Sequence, residues 1–189
     1  MTPPKKIRCP WAENHPLNIE YHDLKWGRPC HDEGELFKML ILEGQQAGLA
    51  WITVLRKKAG YEKAFADFDP SLIAAFDQKK IESLMLNPDI VRHRPKILSI
   101  VDNAKAYLNL RSSGRTLAEL LWSYVDGNPI VNAFRTLNEI PAKTPLSEKM
   151  SRDLKALGFK YVGPVSLYSL AQAVGLVNDH LVDCHFRGV

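Results

Sequence analysis

The chain has 189 residues, of which 46% are hydrophobic and 24% charged, with a net charge of +4. This suits a globular protein with a real core, and no stretch reaches the ~20 consecutive apolar residues that span a bilayer. The basic N-terminal segment MTPPKKIRCPW has no apolar run behind it, which excludes a secretory signal and leaves a cytoplasmic protein as the expectation; the mild positive charge is compatible with nucleic acid without establishing it.

Helical periodicity dominates the chain and strand signals are scarce. In HDEGELFKMLILEGQQAG, Asp32 stands as an N-cap with Glu35 at capping-box spacing, and Leu36, Met39, Leu40 and Glu43 share one helix face. LAWITVLRKKAGYEKAFADF is expected to continue helically as far as Asp69, which caps the short helix PSLIAAFD. Gln78 to Met85 reads as another short helix. A longer one starts at Pro95, carries Ile97, Ile100, Val101, Ala104 and Leu108 on one face and ends at Gly114. Thr116 caps TLAELLWSYVDG, and residues 127–147, rich in Pro, Asn and Thr, read as a connection. PLSEKMSRDLKALG and PVSLYSLAQAVGL are helical, with FKYVG a short hairpin between them. The expected fold is all-α, a compact bundle of roughly eight to ten short helices with almost no strand, forming one unit over residues 1–189.

Three constellations carry chemistry. The first is Leu154 to Leu176, where a helix ends at Gly158 and another begins at Pro164, just after Gly163. Free N–H groups at such a helix start favour an anion, and a phosphate diester fits, as in a helix-hairpin-helix that holds DNA without reading sequence. The match is partial, because Tyr161 stands where the hairpin pattern has its first glycine, and an ordinary helix corner has the same spacing. The second is Cys9 and His22 near one end with His180 and Cys184 near the other. If NDHLVDC is helical, its His and Cys lie one turn apart, and a Cys2His2 set suits structural, tetrahedral Zn2+. A buried Cys9 beside a hydrogen-bonded His22 would look the same in sequence, and Cys30, His31 and His185 compete as ligands. The third is Glu43 among Trp11, Tyr21, Trp26 and Trp51. A carboxylate on an apolar face is costly unless satisfied, and aromatic rings around it would receive a flat cation. A tryptophan core with Glu43 turned to solvent is the alternative.

RCPW, EYHDLKWG, LFKMLILEGQQAGLAWITVLRKK, IVRHRPKI, LWSYV, GFKYVG and GLVNDHLVDC, in this order from Arg8 to Cys184, resemble the bacterial 3-methyladenine DNA glycosylase I family. The resemblance implies a base-excision repair enzyme. Its activity would be that of a monofunctional N-glycosylase hydrolysing the glycosidic bond of 3-methyladenine in alkylated DNA, leaving an abasic site without cutting the strand. It implies a helix-hairpin-helix at about 147–176 and a structural Zn2+ on Cys9, His22, His180 and Cys184, joining segments 9–22 and 180–184. Its partner would be double-stranded DNA containing alkylated adenine, with no membrane, no obligate protein partner and a monomeric enzyme. Glu43, Tyr21, Trp11 and Trp51 match base-contacting positions, with Glu43 the catalytic residue. Gly48 and Leu49 match a loop that enters the duplex, and Gln46 belongs with that contact, so that Gln46 to Leu49 are expected to break the regular helix.

Arg92, His93, Arg94 and Lys96 form a basic cluster at a helix start, expected at phosphates together with Lys160 and Gly163, although a solvated face would look alike. Asp179 adjoins His180 and is expected to support it or cap a helix, not to act on the substrate. Two departures stand out: Asn18 occupies a position where the family can place an aromatic ring, and relatives carry more cysteines after Cys184. The competing functions are a non-catalytic helix-hairpin-helix DNA-binding module, against which the Glu43 pocket argues, and a zinc-stabilised protein-interaction bundle.

Overall fold

The computed structural model describes residues 6–188. Met1–Lys5, the first part of the basic N-terminal segment, and Val189 lie outside the described residues, and so do the two extremities of the expected 1–189 unit.

Ten α-helices dominate the described residues: α1 Pro16–Leu24, α2 Glu33–Gln46, α3 Trp51–Arg56, α4 Lys58–Ala64, α5 Pro70–Ala74, α6 Gln78–Leu86, α7 Arg94–Ser112, α8 Leu117–Ser123, α9 Pro145–Ala156 and α10 Pro164–Ala173. The caps are those the sequence marks. Asp69 accepts from the Ser71 and Leu72 amides, and Thr116 forms a full capping box with Glu119. At α2 only half the box forms: Asp32 accepts from the Glu35 amide at 2.8 Å, while the Glu35 carboxylate turns to Lys38 at 2.5 Å.

α2 is the central helix. Leu36 and Leu40 are buried in the main core, which Ile97, Ile100 and Ala104 of α7 and Leu167 and Leu170 of α10 also enter. A second, smaller apolar group collects Cys9, Trp26, Leu181, Cys184 and Phe186, so that the two ends of the chain meet.

Three local expectations are corrected. The helical continuation after Leu49 is not continuous. α2 stops at Gln46, Gly48 takes φ +76°, α3 starts only at Trp51, and α3 and α4 are separate helices. Ala66, Asp67 and Phe68 then take φ of 49°, 51° and 62°, a left-handed turn that brings Phe65 and Phe68 into one core. NDHLVDC is not helical: Val177–Asn178 is a short strand, β2, followed by a turn in which the Cys184 amide donates to Leu181 O at 2.9 Å. β2 pairs in parallel with β1, Ile130–Val131, so the 127–147 connection is anchored by a two-residue ladder.

Candidate functional site

Cys9, His22, His180 and Cys184 are all buried, and one ligand atom from each lies within 4.8 Å of the others. The helical argument for His180 and Cys184 is replaced by the turn after β2, which brings Cys184 Sγ to 3.4 Å from His180 Nδ1. Cys184 Sγ lies 3.6 Å from His22 Nε2, and Cys9 Sγ 3.8 Å from His180 Nδ1. Zinc–sulfur and zinc–nitrogen bonds of ordinary length at a tetrahedral angle put such S···N edges near ~3.5 Å. The remaining ring nitrogens are engaged. His22 Nδ1 faces Asp23 Oδ1 at 2.9 Å, and His180 Nε2 faces the Trp26 carbonyl at 3.1 Å. An oxygen acceptor there holds the N–H and leaves the inward nitrogen as a lone-pair donor, the arrangement that orients histidine ligands. Burial lowers the pKa of His180 to about 4, which keeps the ring neutral as ligation requires, and pushes the Cys9 thiol up to about 12. Arg8 grips Asp23 through Nε and Nη2 at 2.9 and 2.7 Å. The competing residues are elsewhere: His31 stacks on Trp122, and His185 Nδ1 accepts from the Ile7 amide. The donor set fits a closed Zn2+ site.

Beside this cluster lies a cavity of about 290 Å³ whose walls include Trp11, Tyr21, Glu43, Gln46, Trp51 and Gln172. α1 supplies Tyr21, the end of α2 supplies Glu43 and Gln46, and the start of α3 supplies Trp51. The break at Ala47–Ala50 is what turns Trp51 back toward Glu43. The Tyr21 and Trp51 rings are 5.0 Å apart and Trp11 stands 6.4 Å from Tyr21. Glu43 is 4% exposed and its Oε2 has no hydrogen-bond partner. Burial alone raises its pKa to about 8. The Tyr21 phenol is raised well above its ordinary value by burial and by the nearby Glu43 carboxylate. The Trp51 indole N–H is also buried without a partner. The cavity therefore offers rings, an unsatisfied acceptor and an unsatisfied donor. A larger hollow of about 380 Å³ shares Tyr21 and Trp51 but not Glu43. The unpartnered carboxylate lines only the smaller of the two.

Asn18 is buried, with Nδ2 donating to Asn14 at 2.6 Å and Oδ1 unpartnered; it does not line this cavity. Gln46, expected with the duplex contact, lines the cavity wall. Gly48 faces open space and Leu49 is 38% exposed, so this pair forms the projecting tip of the α2–α3 loop. Arg92 and His93 are exposed, while Arg94 is half-buried and pairs with Glu82 at 2.9 Å. Lys96 corrects the expectation of a surface contact. It is buried, and its ammonium donates to the Gln45 and Ala47 carbonyls at 2.5 and 2.7 Å, satisfying the open end of α2. Lys160 is exposed between α9 and α10, and Asn103 pairs with both its amide, at 2.6 Å, and its carbonyl, at 3.1 Å. Tyr161 takes φ +55°, the left-handed value a glycine adopts freely, and Gly163 precedes α10 with open space where a side chain would be.

Sequence reasoning did not single out Asp23, Gln172 or the buried role of Lys96. Asp23 was open to recognition, standing next to His22 in YHD. Gln172 had no signal, because nothing in a helical repeat shows which polar residue faces a cavity. Asp179 is fully buried and accepts from Asn132 Nδ2 at 2.7 Å, Tyr168 OH at 2.6 Å and Gln172 Nε2 at 2.7 Å, which leaves it no free face toward a substrate.

The methyladenine glycosylase family model matches residues 11–188. The chain is similar to DNA-3-methyladenine glycosylase 1 of Escherichia coli (strain K12), 48% identical over 177 residues, covering 94% of this chain and 95% of that protein. It is 45% identical over 177 residues to the DNA-3-methyladenine glycosylase of Haemophilus influenzae, covering 94% of this chain and 96% of that protein. A solved 3-methyladenine DNA glycosylase I superposes with a TM-score of 0.93 at 47% identity, covering 95% of this chain and 98% of the other. The Staphylococcus aureus 3-methyladenine DNA glycosylase I, whose structure addresses 3-methyladenine recognition, gives 0.92 at 39% identity, with 95% and 96% covered.

Proposed function

The chain belongs to the methyladenine glycosylase family, and from that premise we propose how its own residues perform the reaction. It is a base-excision repair glycosylase, a hydrolase of the N-glycosyl bond of 3-methyladenine in alkylated DNA. The base to be removed is a cation, so its glycosidic bond is already weakened, and selective binding can supply much of the discrimination against neutral adenine. The observation that carries the reading is the buried, unpartnered carboxylate of Glu43 in a cavity walled by Trp11, Tyr21 and Trp51.

In this reading the extruded base packs against Trp51, Trp11 and Tyr21, with cation–π attraction of about 0.5–2 kcal/mol per well-placed ring. Glu43 accepts N–H from the base's exocyclic amino group and compensates its charge. The C1′–N9 bond breaks with its electron pair passing to the base, which leaves neutral. Water adds to C1′ and loses a proton, leaving an abasic site. No lysine lines the cavity among the described residues, so a Schiff-base intermediate has no nucleophile and the strand stays intact.

Gly48 and Leu49 fill the space the base vacates. Arg92, Lys160 and the start of α10 at Gly163 hold phosphates, with α9 and α10 as the helices of a helix-hairpin-helix at about 147–176. Cys9, His22, His180 and Cys184 hold a structural Zn2+ and join the ends of one functional unit; the metal supplies cross-linking only, since four protein ligands close its coordination.

The test is release of free bases from methylated duplex DNA, identified by mass spectrometry, with Glu43→Gln alongside. The wild-type chain should release 3-methyladenine and leave unbroken strands. Loss of a hydrogen bond to a charged partner should slow release by about tenfold to a hundredfold in the variant. Full activity in Glu43→Gln would refute the assignment.

A further inference from the structure

We propose that Gln172 is a specificity-determining residue of the base pocket, its amide carbonyl held by Asp179 to accept from the exocyclic amino group of the extruded base. This rests on the reading of the Glu43 cavity as the base pocket. Gln172 lies on α10 and lines that cavity together with Glu43 and Trp51. Its Nε2 donates to Asp179 Oδ2 at 2.7 Å. The amide cannot be turned over, because a carbonyl oxygen there would face a carboxylate oxygen with no proton between them. Tyr168 OH and Asn132 Nδ2 also donate to Asp179, at 2.6 and 2.7 Å. The carboxylate is thus a fully satisfied acceptor that is 0% exposed. It stands directly after β2, whose pairing with β1 holds the backbone. One end of the Gln172 amide is committed to Asp179, so the carbonyl is the end left for the cavity.

Two acceptors, the Glu43 carboxylate and the Gln172 carbonyl, then serve one cavity. An exocyclic amino group has two N–H donors and can satisfy both. An oxo group at the same ring position has none and is repelled by both. A site built to hydrogen-bond a substrate N–H rejects the analogue that lacks it far better than an apolar wall does. The ring stack and Glu43 select a cationic purine; Gln172 adds selection for a 6-amino purine over a 6-oxo purine. Asp179 touches no substrate and is a positioning residue, which gives its buried network a purpose beyond supporting the neighbouring His180.

The experiment uses the full chain and methylated duplex DNA containing both 3-methyladenine and 3-methylguanine, with single-turnover release rates measured for each base. Gln172→Met keeps the length of the side chain and removes the amide. It should slow 3-methyladenine release by about tenfold, the worth of one hydrogen bond, and slow 3-methylguanine release less, so the ratio of the two rates falls. If Gln172→Met does not fold, Gln172→Asn, whose amide is withdrawn by one methylene, should lower the same ratio. Equal slowing of both bases in a folded variant, or an unchanged ratio, overturns the role of Gln172 alone. A wild-type chain that releases neither base overturns the pocket reading and this proposal with it.

Discussion

Three carboxylates close to the site illustrate how environment decides a residue's work. Asp179 accepts from three side-chain donors, and Asp23 is held by Arg8 and His22. Glu43 is buried, more deeply than Asp23, and has no partner for Oε2. It is therefore the group whose burial cost a bound cation can offset. Its pKa of about 8, raised by burial, has consequences of definite sign. The folded state binds this proton more tightly than the unfolded state, where the value is near the ordinary 4.5. Between those two values stability falls as pH rises, because the unfolded chain releases the proton that the buried native carboxyl retains. Glu43→Gln should accordingly be more stable than wild type above pH 8, by roughly 1–3 kcal/mol, with the gain gone near pH 4.5. Thermal melts across pH check this; a gain that does not vary with pH would contradict it. Activity has the opposite slope: kcat/KM should rise with pH to a plateau above about 8, as the carboxylate form that accepts the cation becomes populated. The carboxylate on an apolar face was legible in the spacing of α2. Its lack of a partner was not, because that depends on what α1, α3 and α10 bring to it.

At the scale of elements, the informative event is the end of α2. A 3.6-residue repeat identifies α2 and α7 from sequence, and the loop match at Gln46–Leu49 marks a break between α2 and α3, but neither shows what holds the end of α2. The Lys96 ammonium of α7 donates to the Gln45 and Ala47 backbone carbonyls, while the Gln45 side-chain Nε2 donates back to the Lys96 backbone carbonyl at 3.1 Å. This reciprocal clamp shapes the loop that presents Gly48 and Leu49 and sets Trp51 opposite Glu43. A cation at a helix C-terminus is favoured by the helix dipole as well. Gly44, next to Glu43, leaves room for the turn between α9 and α10: a Cβ there would sit 3.3 Å from Tyr161 Cβ. Lys96→Met should lower excision from duplex DNA by about tenfold through the loop, and leave the salt dependence of binding unchanged. Arg92→Ala should instead reduce the slope of log K against log salt by about one phosphate contact. A slope change in Lys96→Met equal to that of Arg92→Ala would show that Lys96 reaches the backbone after all. In the string RHRPK, charge alone marks a cluster; which member turns inward is settled by the register of α7 against α2.

At the scale of the whole molecule, the Cys2His2 cluster is the one place where the first and last described segments share buried chemistry. Cys9 and His22 come from one end and His180 and Cys184 from the other, with Trp26 stacked on His22 and in edge contact with His180. The same end of the chain carries Trp11 and Tyr21 into the Glu43 cavity, so loosening it should disturb that cavity as well. Elemental analysis should find one zinc per chain. Chelation should lower the melting temperature and open Cys9 and Cys184 to thiol reagents, with loss of 3-methyladenine binding. Retention of stability and thiol protection in metal-free protein would count against a structural metal.

The residue types, their order and the helical repeat of the sequence by themselves determined the family, the helical architecture and the caps, and singled out Glu43 and the Cys–His set as candidates. These are local or linear properties, written in short strings and in side-chain chemistry. Only the tertiary structure decided that Lys96 faces inward and closes the end of α2, that His180 and Cys184 meet through a turn, and that Asp179 is turned onto Gln172. Each of those depends on which buried polar group finds a partner, and the partner lies tens of residues away in the chain, where only packing can bring it.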